Sequence, residues 1–167
     1  TLSNATIIGN KSTSPYEGAV SIDSTSPVSN SIIMNNGGQV AFAMTFPQIT
    51  NSVLDIKENG NLVTRFHKTD TNVDMESYTQ NDIFIDPTSN NYRLKENSPV
   101  INKGNNAQYD TSISKDLDGN ARIQGWKIDL GAYEANGFGV KYNSNGATLG
   151  EEPVDFKLYK GSDSATI

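Results

Sequence analysis

Cysteine is absent from this 167-residue chain, so neither disulfides nor thiolate metal sites are open to it. Charge is scarce as well: Asp, Glu, Lys and Arg together make up 19%, and the formal net charge is −6. Lys and Arg never gather into a run, which argues against nucleic acid, whose binding rests on clustered cations. Histidine occurs once, at His67. No apolar stretch reaches membrane-spanning length and no signal peptide is legible, so membrane insertion is not expected. Apolar residues amount to 35%; with the 14 glycines added, the fraction approaches the ordinary average, and a modest core is within reach.

The rest of the chain is uncharged and polar: 20 Asn, 17 Ser and 14 Thr. Disordered chains are typically rich in charge and poor in β-branched residues, so this bias points to turns and polar strands. An acidic, cysteine-free, Asn/Ser/Thr-rich composition fits a secreted protein of the bacterial surface, and an extracellular location is expected. The chain opens at Thr1 inside a repeat, and further repeats upstream in a longer protein are expected.

Three segments align without gaps: Leu2-Ser3-Asn4-Ala5-Thr6-Ile7, Val28-Ser29-Asn30-Ser31-Ile32-Ile33 and Ile49-Thr50-Asn51-Ser52-Val53-Leu54. Asn4 and Asn30 are 26 residues apart, Asn30 and Asn51 21. A second register, Ala19-Val20-Ser21-Ile22 against Val40-Ala41-Phe42-Ala43, also starts 21 residues apart. A fourth copy fades at Thr71-Asn72. This period, with short β segments and no helical periodicity, predicts a β-solenoid. Leu2, Val28 and Ile49 would stack in one inner column, and Ile7, Ile33 and Leu54 in another. Asn4, Asn30 and Asn51 would turn the corner between them, because Asn tolerates left-handed backbone, and would bond to one another as an amide ladder.

Beyond Asn81 the rhythm changes to short strands and turns. Strands are expected at Ile83–Ile85, Tyr92–Leu94 and Ser98–Asn102, a polar loop over 105–115, and turn chemistry at Asp116–Asn120. The runs IFIDPTSNNYRLKENSPVINKG and DLDGNARIQGWKIDLGAYE, in that order, resemble the C-terminal end of bacterial extracellular proteins of the pectate-lyase-like class. Ala121 departs from that pattern, where proline is usual, and a less rigid turn is expected there. The resemblance implies an all-β fold, a right-handed parallel β-helix: coils over 1–80, a C-terminal cap over 81–135, and a short β-rich extension. The run VKYNSNGATLGEEPVDFKLYKGSDSATI resembles the opening of a Listeria–Bacteroides type surface repeat, which would start a β-grasp-like module over 136–167.

Candidate chemistry is sparse. Asp55, Lys57, Arg65 and His67 form the best catalytic cluster, since each pair shares a strand face, although a solvated strand looks the same. Asp116, Asp118 and Asn120 invite calcium. As an EF-hand, however, the loop would put Ala121 where Gly is required and Lys127 where a bidentate Glu belongs. An Asx-type turn with Arg122 paired to Asp129 or Glu134 is expected instead, with no cofactor and no structural calcium. Trp126 could stack on a sugar or cover the end of the solenoid, with Tyr92 and Tyr133 alongside. The expected function is non-catalytic: adhesion or presentation at the cell surface, with host or cell-wall glycans or proteins as partners. The alternative is the last part of an extracellular polysaccharide lyase or glycoside hydrolase whose active site lies mostly upstream.

Overall fold

A computed structural model describes residues 1–13, 19–22, 26–34, 36, 40–42, 49–54, 57–58, 61–62, 78–137 and 159–160, with 40–42, 57–58 and 61–62 as backbone alone. The fold is rich in sheet. Strands β1 (Leu2–Ser3), β2 (Thr6–Ile8) and β3 (Val20–Ile22) form a first tier. Strands β4 (Val28–Ser29), β5 (Ile32–Met34) and β6 (Val40–Phe42) form a second, and β7 (Ile49–Thr50) and β8 (Val53–Leu54) belong to a third. Equivalent strands pair in parallel from tier to tier, as β1-β4-β7, β2-β5-β8 and β3-β6.

The registers of the first two sheets follow the aligned segments. Leu2 faces Val28 and Val28 faces Ile49, while Ile7 faces Ile33 and Ile33 faces Leu54. The third sheet departs from expectation. Val20 pairs with Val40 and Ile22 with Phe42, an offset of 20 residues rather than 21. A one-residue slip would turn every side chain to the other face. The observed offset sets apolar residues opposite each other, where the expected one set Val20 opposite Ala41.

Each corner between the first and second strand of a tier is an asparagine in left-handed backbone, with φ of 54° at Asn4, 50° at Asn30 and 46° at Asn51. The amides do not form the expected ladder. Asn30 is fully buried and spends its amide on Asn105: Nδ2 donates to the carbonyl at 3.1 Å, and Oδ1 accepts from the N–H at 2.7 Å. Asn51 Nδ2 donates to the Lys103 carbonyl at 3.0 Å. The tier-to-tier rungs are made by the next residue. Ser31 Oγ accepts from the Ala5 N–H and Ser52 Oγ from the Ser31 N–H, both at 3.2 Å. Each hydroxyl donates within its own tier, to the Ser29 and Thr50 carbonyls. The left-handed bend takes these N–H groups out of the strand ladder, and a buried N–H left unmet costs about 1–3 kcal/mol.

Two apolar cores result. One lies between the sheets and holds Val20, Ile22, Val28, Ile33 and Ile49, with Leu2, Ile7 and Leu54 at its edge. The other lies on the opposite face of β2-β5-β8, where Ile32, Met34 and Val53 meet Ile83, Phe84, Leu94, Val100, Leu130 and Ala135. That sheet is therefore covered on both faces, which is why Ile32-Ile33-Met34 reads as an unbroken apolar run instead of an alternation.

The segment from Tyr78 to Gly137 supplies the covering layer. A short helix, α1 (Gln80–Ile83), starts where the Asp82 carboxylate accepts from both the N–H and the hydroxyl of Thr79 at 2.7 Å. Strands β11 (Phe84–Asp86) and β12 (Asn91–Leu94) pair antiparallel around a 3-10 turn, Pro87–Ser89, that ends at left-handed Asn90. Residues Ser98–Asn102, expected as a strand, form successive turns instead. Pro99 has no N–H to give to a ladder, Asn102 sits at φ 56°, and its N–H donates to the Asp129 carboxylate at 2.6 Å. This segment was expected to close one end of the stack; the contacts described run along its flank. Gly131 N–H donates to the Asn30 carbonyl at 2.8 Å, and Ala132 N–H to Thr6 Oγ1 at 3.0 Å. Gly131 has φ 94°, and a Cβ there would lie 2.6 Å from Thr6 Oγ1, so only glycine permits the approach.

Candidate functional site

Of the catalytic candidates, Asp55, Arg65 and His67 lie outside the described residues, as does Thr71-Asn72. Lys57 is placed by its backbone in β9 (Lys57–Glu58), which pairs antiparallel with β10 (Asn61–Leu62). Most of the 136–167 run also lies outside.

The acidic turn is an Asx turn in detail. Asp116 Oδ1 accepts from the N–H groups of Asp118 and Asn120, at 3.0 and 2.7 Å. Asp116 Oδ2 accepts from the Glu134 N–H at 3.0 Å and from Asn120 Nδ2 at 3.4 Å. The Asp118 carboxylate is clasped by the Arg93 guanidinium through two bonds of 2.5 Å. These oxygens are turned inward to N–H donors, a different use from ligating calcium. Arg93 also stacks 5.3 Å from the centre of the Tyr133 ring. Trp126 is half-buried; its indole N–H is buried with no partner, and its carbonyl accepts from Asn106 Nδ2 at 3.1 Å.

Behind this turn lies a buried ionic cluster. The Arg122 and Glu134 side chains are each 2% exposed, with Nη1 and Oε1 3.6 Å apart, the pairing expected from the sequence. Arg122 also donates to the carbonyls of Ala132 and Gly131. Asp129 accepts from Asn102 N–H and from Ala135 N–H, and Glu134 Oε2 accepts from Asp129 N–H. Burial pushes the Asp129 carboxyl up to about 6, against the pull of those N–H donors. Burial, then the Asp129 charge, pushes Glu134 up to about 9. Backbone donors hold this cluster in place, and its work is to fix the flanking segment.

A solvent-reaching cleft of about 310 Å³ opens beside the cluster, lined by Ser3 and Asn4 of the first tier and by Tyr109, Asp110, Ile113, Lys115 and Leu117 of the flank. Asp116, Arg122 and Ala132 complete its wall. Two apolar side chains stand exposed at its mouth, Ile113 at 55% and Leu117 at 70%. The loop's shape is set locally: Asp110 Oδ1 accepts from the N–H and hydroxyl of Ser112, and those bonds hold its carboxyl below the usual range. Leu117 N–H donates to the Ala132 carbonyl, and Ser3 Oγ donates to the Gln108 carbonyl, which seats the loop between tier and flank.

Sequence reasoning passed over this cleft, because it joins a polar loop to a corner about a hundred residues earlier. The available signal was two aliphatic residues, Ile113 and Leu117, in an otherwise polar stretch. Trp126 does not line it. No protein-family model, curated protein or solved structure matches the chain.

Proposed function

We propose that this chain belongs to a right-handed parallel β-helix protein of the bacterial surface or exterior. In this reading it serves adhesion or presentation through contact with glycans or proteins, without catalysing a reaction. The observation that carries the reading is the in-register stacking of Leu2, Val28 and Ile49 and of Ile7, Ile33 and Leu54 around left-handed asparagines. A stack of this kind repeats one surface at fixed intervals, which suits display better than enclosure of a reacting bond. Residues 136–167 would open a surface repeat that carries the stack away from the cell.

The test applies the chain to an immobilised glycan panel and incubates it with acidic and neutral polysaccharides while absorbance follows unsaturated sugar products. Reducing ends are assayed in parallel. Retention on a defined set of glycans without product is expected. New reducing ends or unsaturated products would install the lyase or hydrolase reading instead, and no retention on any glycan would remove glycan contact.

A further inference from the structure

We propose that the cleft between the first-tier corner at Ser3-Asn4 and the 109–117 loop binds one neutral pyranose residue of a glycan. This rests on the glycan-contact reading above and names the site and the ligand class.

Three features of the cleft select the ligand. Its volume, about 310 Å³, falls at the small end of ligand sites, which suits a single ring better than an extended chain. Its charges cancel: Lys115 and Arg122 are matched by Asp110 and Asp116. A carboxylated sugar would meet the two acids, and an amino sugar the two cations. The uncommitted polar groups are of both kinds. Asp110 Oδ2 is a free acceptor, since Oδ1 takes both Ser112 donors. The Lys115 ammonium and the Tyr109 hydroxyl make no side-chain hydrogen bond among the described residues, and they add a donor and a group that can do either. Vicinal hydroxyls, which donate and accept at once, match that set.

The walls agree with this assignment. Exposed Ile113 and Leu117 and the half-buried Tyr109 ring offer an apolar surface to the C–H face of a sugar, which is how an aromatic with one polar edge commonly meets such ligands. Two large aliphatic side chains left this exposed beside a concave site mark a contact surface more often than an accident of folding.

The experiment titrates the whole chain with methyl β-glucopyranoside, methyl β-galactopyranoside, methyl β-glucuronoside and methyl β-glucosaminide, following backbone amide resonances. A neutral glycoside is expected to bind near the millimolar range and to shift Tyr109, Ile113, Lys115 and Leu117 amides. The two charged glycosides are expected to bind at least tenfold more weakly. Leu117→Asp and Ile113→Asp, both at exposed positions, should each weaken binding tenfold or more while the amide spectrum outside the loop stays unchanged. Shifts confined to another surface, or tighter binding of the glucuronoside, would overturn the assignment. Should the variants keep the parent's retention on the glycan panel, the site is wrong and glycan contact survives; should the parent itself retain nothing, both fall together.

Discussion

The tiers and the flank turn corners with the same residue and satisfy their backbones by opposite means. Left-handed asparagines bend the chain at Asn4, Asn30 and Asn51 in the tiers and at Asn90 and Asn102 in the flank. In the tiers the N–H groups freed by each bend go to neutral hydroxyls one tier on, at Ser31 and Ser52. In the flank they go largely to carboxylates: Asp86 caps the hairpin turn, Asp116 takes three backbone N–H groups, and Asp129 takes two. A repeated backbone offers the same partner at each level, so an uncharged side chain suffices. A backbone that never repeats needs stronger acceptors aimed individually, and charge-assisted bonds supply them. The tiers should therefore be indifferent to pH and the flank should not.

The largest expected effect separates the two by force. Gly131→Ala puts a Cβ into Thr6 and Ile32 at a backbone angle that L residues avoid, and should cost about 3–5 kcal/mol. Urea unfolding should drop in midpoint, and hydrogen exchange should show residues 83–135 opening ahead of β4 and β5. Equal loss of protection in both regions would mean that they fold as one unit.

Asn30→Gly comes next. Glycine accepts the φ of 50°, so the loss is that of the two bonds to Asn105, about 2–4 kcal/mol. The same change at Asn4 should be close to neutral, because Asn4 Nδ2 is buried with no partner. A similar cost at both positions would show that asparagine matters for its bend alone. Ser52→Ala leaves the buried Ser31 N–H unmet and should cost about 1–3 kcal/mol, read from the urea midpoint. No loss would place the rung elsewhere.

The smallest effect is on pH. Glu134 is raised by burial and by Asp129, so between its ordinary value of 4.5 and about 9 the folded state holds a proton that the unfolded chain has released. Stability should fall as pH rises through that range. Asp129, raised to about 6, adds to the fall over the lower part of it. Surface Asp82, Asp86 and Asp110 are lowered by their hydrogen bonds and act in the other sense, losing stability only as pH drops through the acid range. Urea midpoints at pH 5.5 and 8.5 should differ in favour of the lower pH, and Glu134→Gln should flatten the difference. A midpoint that climbs with pH would refute the buried-proton account.

The parallel columns were legible because Leu2, Val28 and Ile49 keep a fixed offset from their asparagines, and spacing is what a one-dimensional pattern records. The bend at those asparagines and the Arg122–Glu134 pair were legible for the same local reasons. The third sheet's offset was not: Ala19–Ile22 and Val40–Ala43 are apolar enough to allow either register, and burial decided between them. The unbroken Ile32-Ile33-Met34 run did signal a sheet buried on both faces, but the covering layer comes from residues at least fifty positions later. The turns at Ser98–Asn102 and the cleft at Tyr109–Leu117 escaped for that reason too. Both are shaped by contacts between segments far apart in sequence, and no local propensity reports them.

One contact carries a consequence for how such a protein could grow. Gln108 touches all three tiers: its carbonyl accepts from the Ser3 and Ser29 hydroxyls, and its side-chain carbonyl accepts from Thr50. Copying a 21-residue unit would lengthen the stack readily, because each new serine would find its rung. Gln108 would not lengthen with it, so an added tier would stand without its share of the flank. The glutamine thus works as a gauge, and enlarging the array would require enlarging what measures it.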